Sequence, residues 1–196
     1  MKDVALVLSA LISILCVVPY CLDIIKHKTK PNLVSWITWT LLTGIVMAAQ
    51  IAEGEYRAAV FSAGLTAATG LVVVLGLWHG YVKYTQFDVI CQMLAVLGII
   101  LWQVFDDPLI ALYVSIGVDF IGLLPTLRHS WQKPFEETWQ TFAIGALAPV
   151  FGFFALDNFS QLNTSYLIYV LLADIALTTT ILYRRSVMPS VQKAVS

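Results

Sequence analysis

Two carboxylates interrupt sequence that is otherwise almost free of charge: Asp119, in Ser115-Ile116-Gly117-Val118-Asp119-Phe120, and Asp174, in Leu172-Ala173-Asp174-Ile175. Both lie near the middle of long apolar stretches, and no Lys or Arg falls at that depth in any such stretch. Ionisable groups in this setting are costly and generally face a cavity, a path or a partner. A carboxylate without a basic partner can hold a proton or accept a cationic group, so these residues suit proton coupling or solute recognition. The structural alternative is that hydroxyls such as Ser115 or Thr178 bond to them and fasten helices together. Trp36, Trp39, Thr40 and Thr43 fall on one helical stripe and supply ring surface for stacking on a solute. Trp39 is the deeper cavity residue; Trp36 and Trp139, close to span ends, fit interfacial anchors. Cys16 and Thr69 stand in the first half of the chain near the places that Asp119 and Asp174 hold in the second, so one half is neutral and the other acidic.

Such residues need apolar elements to hold them, and composition says which. Hydrophobic residues make up 59% of the chain and charged residues 12%, with a mean hydropathy of +0.83, which describes an integral membrane protein. Roughly 20 apolar residues cross a bilayer as a helix. About seven stretches qualify, near 4–22, 33–52, 58–79, 88–105, 109–127, 139–156 and 162–183. Period-two alternation is missing, so backbone groups must be satisfied within helices and the fold class is all-α. The first span is read as a retained helix rather than a cleaved signal. Nine basic residues (Lys26, Lys28, Lys30, Lys83, Arg128, Lys133, Arg184, Arg185, Lys193) fall on one side of these spans and two (Lys2, Arg57) on the other. Positive flanks stay in the cytoplasm, so the N-terminus is expected outside and the C-terminus inside. Gln50, Gln103 and the Asp106-Asp107-Pro108 turn belong to the outer ends. Cys16, Cys21 and Cys91 show no ligand spacing and read as packing residues. His27, His79 and His129 likewise show no metal pattern and read as solvated.

The chain also repeats itself. Lys30, Pro31, Ser35 and Trp36 are echoed 103 residues later by Lys133, Pro134, Thr138 and Trp139, and Trp39 by Phe142. Both segments open a span from the basic side, so the units are parallel rather than inverted. A three-helix unit ends opposite its start, so a parallel copy demands one extra crossing. The expected architecture is a triple-helix bundle at 1–79, a linker with the fourth helix at 80–107, a second bundle at 108–185 and a tail at 186–196. Pro19 and Pro125 lie near the basic end of the span before each echo, and Pro149 lies within the sixth span. An interior Pro removes a helix hydrogen bond and permits bending, so all three are hinge candidates.

This arrangement, with Pro19-Tyr20, Asp23-Ile24-Ile25-Lys26, Lys28-Thr29-Lys30-Pro31 and Ser35-Trp36, resembles the SWEET and PQ-loop superfamily, and within it uncharacterised bacterial membrane proteins. The Pro-Gln pair of the PQ-loop group is Pro19-Tyr20 and Pro125-Thr126 here, so neither copy retains Gln. The resemblance implies a seven-helix, three-one-three fold in a bacterial inner membrane, with the prolines as hinges of an inner gate. It also implies a sugar, amino acid or vitamin as cargo, or, as in the KDEL receptor branch, peptide binding without transport.

The expected function is small-solute transport by alternating access, with proton coupling allowed by the two acids. The alternative is a non-transporting receptor or assembly factor, whose Lys26, Lys28 and Lys30 would meet lipid headgroups or protein. No phosphate-cradling loop, HExxH pair or nucleophile with a nearby base appears, so neither an enzyme nor a bound cofactor or metal is expected. The expected partners are a small solute, the lipid bilayer and, at most, further copies of the chain; nucleic acid is not among them.

Overall fold

The computed structural model describes residues 1–52, 54–79, 84–102 and 108–188, and every regular element within them is helical. Helices α1 (Lys2–Leu15) and α2 (Val18–Ile25) form one bent rod. Then come α3 (Leu33–Ala52), α4 (Tyr56–Trp78), α5 (Gln86–Trp102) and α6 (Pro108–Gln132). A short 3-10 turn, Pro134–Glu136, leads into a second bent rod, α7 (Trp139–Gly145) with α8 (Leu147–Ala155), and α9 (Gln161–Val187) closes the described chain. Lys83, Gln103, Asp106, Asp107, Lys193 and nearly all of the expected tail lie outside the described residues.

Three of these helical segments, Lys2–Ile25, Ala59–Trp78 and Thr164–Val187, are long and apolar enough to cross a membrane, and Leu33–Ala48, Gln86–Leu97 and Trp139–Ala155 are apolar but shorter. Along the first rod Leu8, Leu11, Leu15, Val18, Leu22 and Ile25 are all exposed. They form an unbroken stripe at helical spacing, a surface that lipid tails would cover. Trp78 and Phe159, near helix ends, are 82% and 70% exposed, as residues of an interfacial belt would be.

Proline accounts for both bends. Pro19 and Pro149 have no N–H to offer the carbonyl four residues back, and each sits just past a turn at which the helix is interrupted. The linking residues Cys16, Val17 and Ala146 keep near-helical dihedrals, so each rod is bent rather than divided. Pro125 differs, because α6 runs unbroken past it to Gln132.

Helix α4 packs between α1 and α3, and α9 packs against α6, α7 and α8. The two groups meet where α1 lies on α8 and α3 on α6, while α5 lies against α6 and α3. Small residues permit the closest approaches: Gly64 faces Ser13, Gly76 faces Leu33 and Pro31, and Gly122 faces Thr38.

Helix ends fix the loops that matter below. α2 closes with His27 N–H donating to Ile24 O (2.9 Å) and Lys28 N–H to Asp23 O (2.8 Å), a Schellman pattern with His27 left-handed at φ 56°. At the start of α5, Thr85 and Asp88 cap each other: Thr85 N–H donates to Asp88 Oδ2 (2.6 Å) and Asp88 N–H to Thr85 Oγ1 (3.3 Å). Asn32 Nδ2 donates to Asp88 Oδ1 (3.2 Å) and ties that cap to the first residues of α3.

Candidate functional site

A cavity of about 100 Å³ opens where the two helix groups meet, walled by Cys16 and Val17 at the bend of the first rod and by residues of α3, α4, α6, α7 and α9. Asp119 and Asp174 both line it, together with Trp39 and Thr69. Ser115 is buried one turn before Asp119 but is not part of the wall. Helix α9 presents Tyr166, Tyr169, Val170, Ala173, Asp174 and Leu177 to the cavity, an i, i+3, i+4, i+7, i+8, i+11 stripe of a single helix face. Helix α3 presents Trp36, Trp39 and Thr43 in the same way.

The two carboxylates have different surroundings. Asp119 is fixed: Tyr166 Oη donates to its Oδ2 and Tyr169 Oη to its Oδ1, each at 3.1 Å. Tyrosines of α9 therefore hold it, rather than the Ser115 or Thr178 hydroxyls of the structural alternative. Asp174 has no hydrogen-bond donor among the described residues. It lies against Gly145, where an added Cβ would fall 2.7 Å from its Oδ2. Gly145 is needed there for the close approach, since any side chain would push the carboxylate out of place.

The residues of the echoed motif occupy one end of this cavity and bind each other. The backbone N–H of Lys30 donates to Glu136 O (3.0 Å), and Lys30 Nζ pairs with Glu136 Oε1 (2.8 Å). Lys133 Nζ lies 3.7 Å from Glu136 Oε2. Thr138 Oγ1 donates to Asp23 Oδ2 (2.9 Å), which leaves Thr29 Oγ1 as the donor to Thr138 Oγ1 at 2.6 Å. Beneath them Trp36 Nε1 donates to Tyr20 Oη (3.3 Å), and Tyr20 Oη donates to Glu137 Oε2 (2.9 Å). Tyr20 is fully buried, with ring centroids 4.8 Å from Trp36 and 6.3 Å from Phe142. Arg185, at the end of α9, clamps the second loop through Pro134 O (2.9 Å) and Glu137 O (2.6 Å).

Burial sets the charge at this end. Glu137 is 1% exposed, and its removal from water pushes its carboxyl up to about 8, with Glu136 adding to the rise and Tyr20 and Arg185 opposing it. Burial would also raise Glu136, but Lys30, Lys133 and His129 together hold it below its ordinary value. His129 is not solvated: its Nε2 lies 3.5 Å from Glu136 Oε2 and 3.9 Å from Glu137 Oε1.

Several expectations change here. Trp36 is only 3% exposed and lines the cavity, and Trp139 packs beside the same core, so neither is an exposed interfacial anchor. Aromatic rings there have a buried hydrogen-bond chain and a ring cluster to join, which outweighs the pull of the interface. Ser35 is buried with its Oγ unpartnered among the described residues, and Pro31 packs by Gly76. Pro19 borders the buried Tyr20, Pro149 is buried in α8, and Pro125 lies two residues from the cavity-lining Leu123. Tyr20, Asp23, Glu137, Gly145, Tyr166, Tyr169 and Arg185 are the residues that sequence reasoning passed over. No protein-family model matches the chain, and no characterised protein or solved structure matches it either, so the geometry alone carries the functional reading.

Proposed function

We propose that the chain is a small-solute transporter working by alternating access in a bacterial inner membrane, with its N-terminus outside and its C-terminus in the cytoplasm. Its two triple-helix bundles, 1–79 and 108–185, are joined by the linker helix α5. The observation that carries the reading is a cavity between two helix groups, lined by both acids, with the two echoed loops bound to each other at one end. The packing supports the parallel repeat: the third rod of each group contacts the other two, and the groups meet through equivalent pairs, α1 with α8 and α6 with α3.

In this reading the contacts between the loops are a closed cytoplasmic latch. Opening it breaks the Tyr20–Glu137, Thr138–Asp23, Thr29–Thr138 and Lys30–Glu136 contacts. At about 1 kcal/mol net for each hydrogen bond, the latch contributes a few kcal/mol. That is the range in which differential binding of a solute can move a two-state equilibrium. Bends at Pro19 and Pro149 let the ends of α2 and α7 swing without unfolding the rods. The two carboxylates also give the cavity groups that a proton could occupy, so coupling belongs to the same proposal.

The test is counterflow in reconstituted vesicles, using pooled labelled sugars, amines, amino acids and vitamins. At least one solute is expected to exchange, and Asp174→Asn should abolish that exchange. A folded protein that exchanges nothing from the pool, while binding a peptide or lipid headgroup, would identify a receptor instead.

A further inference from the structure

The wall chemistry of the cavity narrows the cargo, an inference that rests on the transport reading for its purpose but not for its binding test. Among the described residues no Lys, Arg or His lines the cavity, so none of them balances a carboxylate or phosphate on a solute. A sugar fits poorly as well. The Thr43 and Thr69 hydroxyls already donate to the carbonyls of Trp39 (2.7 Å) and Leu65 (2.9 Å). Tyr166 and Tyr169 donate to Asp119, and the Trp36 indole N–H donates to Tyr20. A polyol would enter with many hydroxyls and find few free partners, and each unmet group costs binding.

What remains free is one carboxylate and one hydroxyl, both able to accept. Asp174 has no donor among the described residues, and its carboxylate form needs a partner once water is displaced. Thr141 is 4% exposed and lines the cavity, and its Oγ1 is also unpartnered among the described residues. Thr141 lies one turn before Gly145 on α7, the glycine against which Asp174 rests, so both groups flank the same wall. The aromatic residues Trp39 and Phe142 line the same cavity. Aromatic faces attract a cation through their quadrupoles. A volume of about 100 Å³ is of the order of the roughly 150 Å³ cavity that admits benzene.

We propose that this cavity is a binding site for a compact primary amine in its ammonium form, with Asp174 as counter-ion, Thr141 as a second acceptor and the Trp39 and Phe142 rings against the organic body. An ammonium brings N–H donors for both groups and a positive charge opposite the Asp174 carboxylate. A quaternary nitrogen brings charge alone. A zwitterion brings a carboxylate that has no cation and only the Thr141 hydroxyl to meet it.

The experiment is a thermal-stability titration of the purified full-length protein at constant ionic strength with butylamine, tetramethylammonium, butyrate and glucose. Butylamine should raise the melting midpoint saturably, tetramethylammonium only at concentrations at least about tenfold higher, and butyrate and glucose not at all. Asp174→Asn and Thr141→Val should each weaken butylamine by about tenfold or more. Should Asp174→Asn fold poorly, Gly145→Ala reads the same site by displacing the carboxylate. Gly117→Ala, where an added Cβ meets nothing within 4 Å, should bind as the parent does. Stabilisation by glucose or butyrate, or an amine effect unchanged in both Asp174→Asn and Gly145→Ala, overturns the proposal. Butylamine binding without exchange in vesicles would leave the site standing and end the transport reading. Exchange of another solute with no effect of amines would do the reverse.

Discussion

Asp119 and Asp174 share one cavity, but the side chains around them give them different roles. Asp119 is anchored by two tyrosines from α9 and serves to hold that helix to α6, whereas Asp174 is open to whatever enters. The acids were legible in the sequence because charge inside an apolar run is conspicuous. The tyrosines were not, because Tyr disturbs neither hydropathy nor helix spacing. Only the joint stripe from Tyr166 to Leu177 on α9 could have given them away. Glu137 was missed for the opposite reason: beside Glu136 and four residues after Lys133 it reads as a solvated loop acid, yet it is buried under Tyr20. Its behaviour with pH follows from that burial. A carboxyl raised to about 8 in the fold, against an ordinary value near 4.3, favours the protonated form. The stability it contributes is complete below the ordinary value and is lost as pH rises through about 8. Tyr20, Glu136, His129 and Arg185 face it and shape the same window. The melting midpoint in detergent should therefore fall between pH 6 and pH 9, and Glu137→Gln, which keeps an acceptor for Tyr20, should flatten that fall. An equally steep fall in the variant would show that another group is responsible.

At the scale of elements, the apolar runs located the helices closely: the spans expected at 33–52 and 139–156 are α3, Leu33–Ala52, and α7 with α8, Trp139–Ala155. The helix over the fifth span continues beyond its apolar core to Gln132, because polar residues of good helix propensity extend it past the position where hydropathy falls. Proline was visible as a residue, but its effect depends on its neighbours. Pro19 and Pro149 follow interruptions of their helices and Pro125 does not, although Pro19 and Pro125 looked equivalent from sequence position. Replacing Pro149 or Pro19 with Ala restores an N–H to the rod and removes a local cost of up to about 3 kcal/mol. The expected outcome is a higher melting midpoint with solute exchange slowed several-fold, whereas Pro125→Ala should leave exchange closer to the parent rate. Unchanged exchange in Pro149→Ala and Pro19→Ala together would remove the hinges from the account.

For the whole molecule, the echoed motif proves more than a marker of repeat ends: its two copies bind each other across the junction of the helix groups, through Lys30 with Glu136 and Thr29 with Thr138. Sequence alone put the two copies at equivalent places but gave no sign that they touch, since loop-to-loop contacts leave no periodic trace. In the proposed seven-span topology, with the basic flanks kept in the cytoplasm, the termini face opposite sides of the membrane. Reporters fused ahead of Met1 and after the C-terminus should therefore be accessible from the outside and the cytoplasm respectively; both on one side would break the seven-span topology.

The central claim, that one cavity is exposed alternately to the two sides by a latch made of the echoed loops, can be tested on a residue already present. Cys16 lines the cavity and is 7% exposed. With Cys21 and Cys91 replaced by Ala, an impermeant thiol reagent can be added to oriented vesicles from either side. Thr138→Val removes the bonds to Asp23 and Thr29. It should speed labelling of Cys16 from the cytoplasmic side by about tenfold, the effect of losing one hydrogen bond to a charged group, and slow it from the outside. Labelling that Thr138→Val leaves unchanged from both sides, or speeds equally from both, would contradict the account.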